Sequence, residues 1–195
     1  MADAPYDSYK NWIESLLVFG SNERRIGHLR NQIMAELKFQ NTTESNPSKI
    51  KQTLGQFGIA YERWGNRHSS ANTDSEILVL YEQEISQLKT SANYVTADLV
   101  ALRPETPNLA TICEKFVKEH HHNEDEVRFC VEGEGVFELF PENAEPLVFK
   151  AEPGDLIVVP AKYRHLFYLT ETKMIRCIRL FKTQDGWEAL YEKEA

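Results

Sequence analysis

From about residue 94 onward, the apolar residues of this chain recur at every second position, in short runs separated by glycine and proline. The runs "VTADLVALRP", "EVRFCVEGEGVFELF", "PLVFKAEPGDLIVVPA" and "HLFYLTETKMIRCIRLF" are rich in β-branched and aromatic residues. Gly133, Gly135, Pro141, Pro146, Pro153, Gly154 and Pro160 punctuate them. A period of two sends alternate side chains to opposite faces of a strand, and turn residues at this density keep each strand short. Many short antiparallel strands are best satisfied by a barrel or a sandwich, which hides their edges. The chain is therefore expected to be mainly β, with its β-barrel core over about residues 94–182.

The front of the chain has a different period. Tyr9, Trp12, Ile13, Leu16 and Leu17 recur at helical spacing, with Gly20 placed to end that helix. Ile26, Leu29, Ile33, Met34 and Leu37 mark a second amphipathic helix, and "QNTTESNPS" (40–48) reads as a linker. Residues 1–45 are thus expected to be a helical N-terminal extension, and residues 46–195 the main domain. Within the latter, Asn46-Pro47 opens a helix that Gly58 follows, and "IAYERW" alternates like a strand. Residues 72–90 carry Ile77, Leu78, Tyr81, Ile85 and Leu88 on one helical face behind an Asp or Ser cap.

Charge and composition exclude several functions. A net charge of −8 argues against a nucleic-acid surface, which needs a basic face, but leaves room for a small anionic ligand held by local arginines. No apolar run is long enough to span a bilayer, and "MADAPYDSYKNW" lacks the basic and apolar regions of a secretory leader. Cys113, Cys130 and Cys177 form no CxxC pair and read as reduced thiols, so a cytoplasmic protein is expected.

The chemistry concentrates in "EKFVKEHHHNEDEVRF" (114–129), which holds three of the chain's six histidines. On a strand, His120 and His122 share one face and His121 takes the other. Glu126 can return to the first face across a short bend, and His165 offers a further imidazole from the run that follows Gly154 and Pro160. Three imidazoles and a carboxylate suit a borderline divalent metal such as iron, nickel, manganese or cobalt, and an octahedral ion would keep two positions open. A structural zinc site would more often use thiolates. Glu124 and Asp125 read as a solvated acidic turn, and His28 and His68 as surface residues.

The spacing HxHxxxE, then six residues, then Gly133 resembles the first cupin motif; Gly154, five residues, Pro160, then His165 resembles the second. Glu114 and Lys162 depart from that pattern at positions where glycine is common, and neither position supplies a ligand. Within the cupins, "EHHHNEDEVRF", "GDLIVVPAKYRHLF", "IRLFKTQDGW" and "FGIAYERW" resemble the acireductone dioxygenases of methionine salvage. The resemblance covers about residues 46–195. It implies a double-stranded β-helix (jelly-roll) barrel with N-terminal helices. It also implies one Fe2+ or Ni2+ bound by His120, His122, Glu126 and His165, and an acireductone and O2 as the small-molecule partners.

The same resemblance makes Arg128 and Arg179 the residues that hold the anionic substrate, and Phe116, Phe167 and Trp187 the lining around its methylthio tail. Without it, those three aromatics read as core. Glu119 is a candidate proton acceptor for the substrate, against a surface charge. In the family, iron gives formate and the 2-keto acid precursor of methionine, whereas nickel gives carbon monoxide, formate and a shortened acid. A monomer or weak homo-oligomer is expected. The alternatives are another small-molecule metallo-cupin enzyme and a non-catalytic ligand-binding cupin.

Overall fold

The hydrophobic alternation resolves into two facing antiparallel sheets in the computed structural model, which describes residues 34–67, 72–183 and 188–191. In chain order the elements are β1 (Glu36–Phe39), β2 (Thr42–Glu44), α1 (Pro47–Gln56), β3 (Ala60–Arg63), α2 (Asp74–Leu80), α3 (Glu82–Ala92) and β4 (Thr96–Leu102). They continue with α4 (Leu109–Phe116), β5 (Glu126–Gly133), β6 (Gly135–Leu139), β7 (Leu147–Ala151), β8 (Asp155–Val159), β9 (His165–Leu169) and β10 (Ile175–Phe181). One five-stranded sheet has the order β2-β1-β7-β6-β9 and the other β3-β8-β5-β10-β4. No helix among the described residues is long and apolar enough to cross a membrane.

The inner faces supply the core. Leu37, Tyr61, Phe137, Leu139, Leu147, Phe149, Ile157 and Val159 are all buried between the sheets. β7 is buried at alternate positions, as expected of a strand with one wet face. β5 is buried nearly throughout, because its second face is covered as well. There Val127, Phe129, Val131, Leu156, Ile178 and Leu180 pack under Ile77, Tyr81 and Ile85 of the α2–α3 segment. Phe129 sits 4.7 Å from the Trp64 ring and 4.6 Å from that of Tyr81. The strand that follows the histidine cluster is thereby clamped on both faces.

Asn46 caps α1 through its side chain with Pro47 in the first turn, and Gly58 adopts φ +75° beyond its end, as expected. Three expectations are corrected. The helix expected over 72–90 is broken at Tyr81, whose ring is fully buried and whose hydroxyl donates to the Gly65 carbonyl. Its cap is Thr73, paired with Glu76 in a reciprocal capping box, rather than an Asp or Ser. The segment read as a helix end and linker is a β-hairpin: Gln40 (φ 48°) and Asn41 (φ 60°) form its turn, and Leu37 is buried on β1. The sheet therefore begins ahead of residue 46, since β1 pairs with β7. The expected helix around residues 9–17, most of that around 26–37, and His28 and His68 lie outside the described residues.

Gly133 is the tightest glycine of the barrel. Its φ is +69°, and a Cβ there would stand 2.0 Å from the Met174 carbonyl oxygen. Gly133→Ala combines a left-handed backbone with a backbone clash and is expected to lose about 2–4 kcal/mol. A thermal or urea unfolding midpoint equal to wild type would refute that expectation.

Candidate metal centre

The histidine segment enters the barrel by pairing with the start of β9. His120 N–H donates to the His165 carbonyl and His165 N–H to that of His120, each at 2.9 Å. This exchange fixes the parity of the run. His120 and His122 are buried, whereas His121 faces the other way and forms a backbone bridge with Leu190.

The chain then bends through residues 123–125, and the bend is held by side chains. Asp125 accepts from Ala161 N–H at 3.0 Å and from the Tyr94 hydroxyl at 3.1 Å, and pairs with Lys182 Nζ at 2.7 Å. Glu124 accepts from Lys182 N–H at 3.1 Å. The acidic pair read as a solvated turn is instead the brace that returns Glu126 to the face of His120 and His122. Lys162, which stands where the cupin pattern has glycine, adopts φ +63° and donates its N–H to the His122 carbonyl at 2.7 Å. The left-handed geometry of that loop position is kept despite its side chain.

One donor atom from each of His120, His122, Glu126 and His165 lies within 4.8 Å of all the others, and all four residues are buried. Each imidazole is oriented by a backbone carbonyl. His120 Nδ1 is 2.7 Å from Lys118 O, His122 Nδ1 is 2.7 Å from Glu188 O, and His165 Nδ1 is 2.8 Å from Tyr163 O. A carbonyl only accepts, so each Nδ1 donates to it and each Nε2 is turned toward the other donors. Glu126 Oε2 lies 2.7 Å from His165 Nε2 and 3.2 Å from His122 Nε2. A buried carboxylate among these nitrogens calls for positive charge between them, carried by a proton on an imidazole or by a bound cation.

The acid–base balance agrees. Burial depresses the His120 pKa to about 4, which leaves the ring neutral and able to ligate. At His122 burial also acts downward, but the hydrogen bond and charge of Glu126 outweigh it and raise the pKa. Burial alone would raise Glu126; Arg128, His122 and His165 reverse this and hold it well below the usual carboxylate range. The pocket thus keeps an ionised carboxylate and at least one neutral imidazole in place, and the donor set fits a divalent metal.

The other expected site residues distribute unevenly. Arg128 shares the inner face with Glu126 and donates from Nε to Glu126 Oε1 at 2.7 Å. Arg179 lies directly across the β5–β10 ladder from Arg128 and is engaged by Asp98. Phe167, two residues past His165 on the same face, packs edge-on against Phe116 at 6.4 Å and lies 5.0 Å from Phe137. It is both core and wall. Trp187 lies outside the described residues. The Glu119 carboxylate is 40% exposed and ion-paired with Arg164 at 3.1 Å.

Residues 188–191 were not anticipated as part of the site. Glu188 orients His122, and the Tyr191 ring lies 5.8 Å from that of His120 while its hydroxyl donates to Lys115 O. These contacts span up to 76 positions and leave no local signal in the sequence.

Two facing jelly-roll sheets enclosing three imidazoles and one carboxylate define a cupin-type metal protein. The comparisons narrow this class. The profile of the ARD/ARD' family matches residues 30–189, and the chain belongs to that family. Among curated relatives, the acireductone dioxygenase of Sulfurihydrogenibium sp. is 41% identical over 172 residues, covering 82% of this chain and 96% of the relative. That of Exiguobacterium sibiricum is 36% identical, covering 83% and 97%. Among solved structures, an acireductone dioxygenase from Bacillus anthracis with a cadmium ion in its active centre is similar at a TM-score of 0.75 and 35% identity. The similarity covers 81% of this chain and 98% of that one.

His165→Ala removes one donor and leaves the backbone exchange with His120 in place. It is expected to weaken divalent-metal binding by at least about 100-fold. Calorimetric titration of the metal-free protein with Ni2+ checks this, and wild-type affinity in the variant would contradict the ligand set.

Proposed function

We propose that this chain is an acireductone dioxygenase that cleaves the methylthio-bearing acireductone of methionine salvage with O2, using one Fe2+ or Ni2+ bound by His120, His122, Glu126 and His165. The observation that carries the reading is the Arg128 guanidinium, hydrogen-bonded to the ligand carboxylate of a three-histidine, one-glutamate cluster. It stands in a chain closely similar to enzymes of that name. When bound, the metal supplies Lewis acidity and open coordination positions for a chelating enediolate.

The protein's own groups do the rest. Arg128, anchored through Nε to Glu126, stabilises negative charge on the substrate oxygens. Because Glu126 and Arg128 hold one another, the cation stays beside the metal without an ordering cost at binding. Arg179 provides a second positive charge on the same face. Phe116 and Phe167 give the tail an apolar, polarisable wall suited to a thioether, and Trp187 is proposed to complete it. The enediolate is itself electron-rich, so what oxygen requires of the protein is a bound, correctly oriented and water-shielded substrate. The buried histidine faces meet that requirement. Glu119 has no part in this reading.

The buried, unbridged Cys130 and Cys177 agree with the reducing cytoplasm as the site of action, and a monomer or weak homo-oligomer is proposed with it. The metal decides the product: the Fe2+ form is expected to give the 2-keto acid and formate, and the Ni2+ form carbon monoxide, formate and the shortened acid.

Arg128→Ala is expected to lower kcat/KM for acireductone by about 10²–10³-fold with metal content retained, measured as oxygen consumption. Unchanged turnover would point to another substrate. Metal-free protein reloaded with Fe2+ or Ni2+ is expected to switch between the two product sets, and identical products from both would refute the metal assignment.

A further inference from the structure

The inner face beyond the metal centre carries a row of charges whose outer member has no assigned role. Asp98 of β4 is the register partner of Arg179 of β10, which in turn partners Arg128 of β5. Paired residues point to the same side of a sheet, so Asp98, Arg179 and Arg128 stand side by side on successive strands, about 5 Å apart. Glu126 precedes Arg128 by two residues on the same strand and face. A carboxylate thus flanks each guanidinium, Asp98 across the sheet from Arg179 and Glu126 along β5 from Arg128.

Two cations directly opposite one another on neighbouring strands repel. Each is balanced by a carboxylate: Arg128 by Glu126 on its own strand at 2.7 Å, and Arg179 by Asp98 on the neighbouring strand. The second contact is two-pronged, with Arg179 Nε 2.8 Å from Asp98 Oδ1 and Nη2 2.5 Å from Oδ2. The Phe181 ring supports the guanidinium from its face, 5.0 Å away. Held by one edge and one face, the Arg179 plane has little rotational freedom left, and its Nη1 lies outside the Asp98 contact. Asp98 itself sits on the edge strand with its side chain 48% exposed. At such exposure an ion pair contributes little to stability, so its geometry is better explained by what it orients.

We propose that Asp98 is a positioning residue for the reaction: it holds the Arg179 guanidinium edge-on beside Arg128, so that the two cations grip a doubly charged enediolate rather than any small anion. This rests on the acireductone reading for the substrate, but not for the geometry. Asp98→Asn keeps the size of the side chain and one acceptor while removing the charge, and it releases Arg179 to pair with solvent anions.

The test uses the metal-loaded protein. Asp98→Asn is expected to raise KM for acireductone about tenfold with kcat within about twofold, and to make the enzyme more sensitive to chloride. Asp98→Glu is expected to recover most of the loss. In an Arg179→Met background, Asp98→Asn should change nothing further, because its effect runs through Arg179. Oxalate, a chelating dianion that needs no turnover, should bind Asp98→Asn about tenfold more weakly by calorimetry. An unchanged KM and oxalate affinity, or the same loss with and without Arg179, would overturn the proposal, even if Asp98→Asn lowered the unfolding midpoint. If the wild-type protein ignores acireductone while Asp98→Asn still weakens oxalate, the substrate reading falls and the positioning role stands.

Discussion

The structure depends on the meeting of Glu126 with three imidazole Nε2 atoms in a buried pocket, where a carboxylate needs positive charge beside it. Backbone carbonyls occupy the Nδ1 sides of His120, His122 and His165, so their Nε2 atoms converge on that carboxylate. In a buried site this arrangement stays unfavourable until positive charge enters it. Arg128 supplies part of that charge permanently, from outside the donor cluster. A divalent cation supplies the remainder, at the point where the donors meet.

Such a cluster persists only on a scaffold that prevents its relaxation, and the barrel provides that in two ways. β5 is held in the middle of its sheet between β8 and β10, and its outer face is pinned by Phe129 against Trp64 and Tyr81. The bend ahead of it cannot straighten, because Asp125 ties it to Ala161, Tyr94 and Lys182 at once. Packing of the helical segment on the far side of the sheet is therefore part of how the donors on the near side are kept in place. On the inner face the same ladder ranks the arginines beside the metal. Strand register thus ranks the two arginines beside Glu126.

Much of this was legible from the period of the sequence. Alternation gave the β core, strand parity separated His121 from its neighbours, and the half-motif spacings brought in Glu126 and His165. Leu37 satisfies a helical period and a strand period equally well, and the turn at Gln40-Asn41 has no glycine to announce it; the hairpin was therefore invisible. Tyr81 looked like one more apolar helix position, although its hydroxyl needs a buried partner and finds one in the loop at Gly65. Asp98 and Glu188 act across 81 and 66 positions, and pairing at such distances is decided by topology rather than local pattern.

The hydrogen bond from His122 to Glu188 also has a meaning in time. A ribosome makes the chain in one direction, and the ring that Glu188 orients emerges 66 residues before the carbonyl that orients it. Through that interval the barrel strands can be synthesised and paired while one imidazole still lacks its fixed tautomer. The metal centre is thus a late product of biosynthesis, finished after the walls that enclose it.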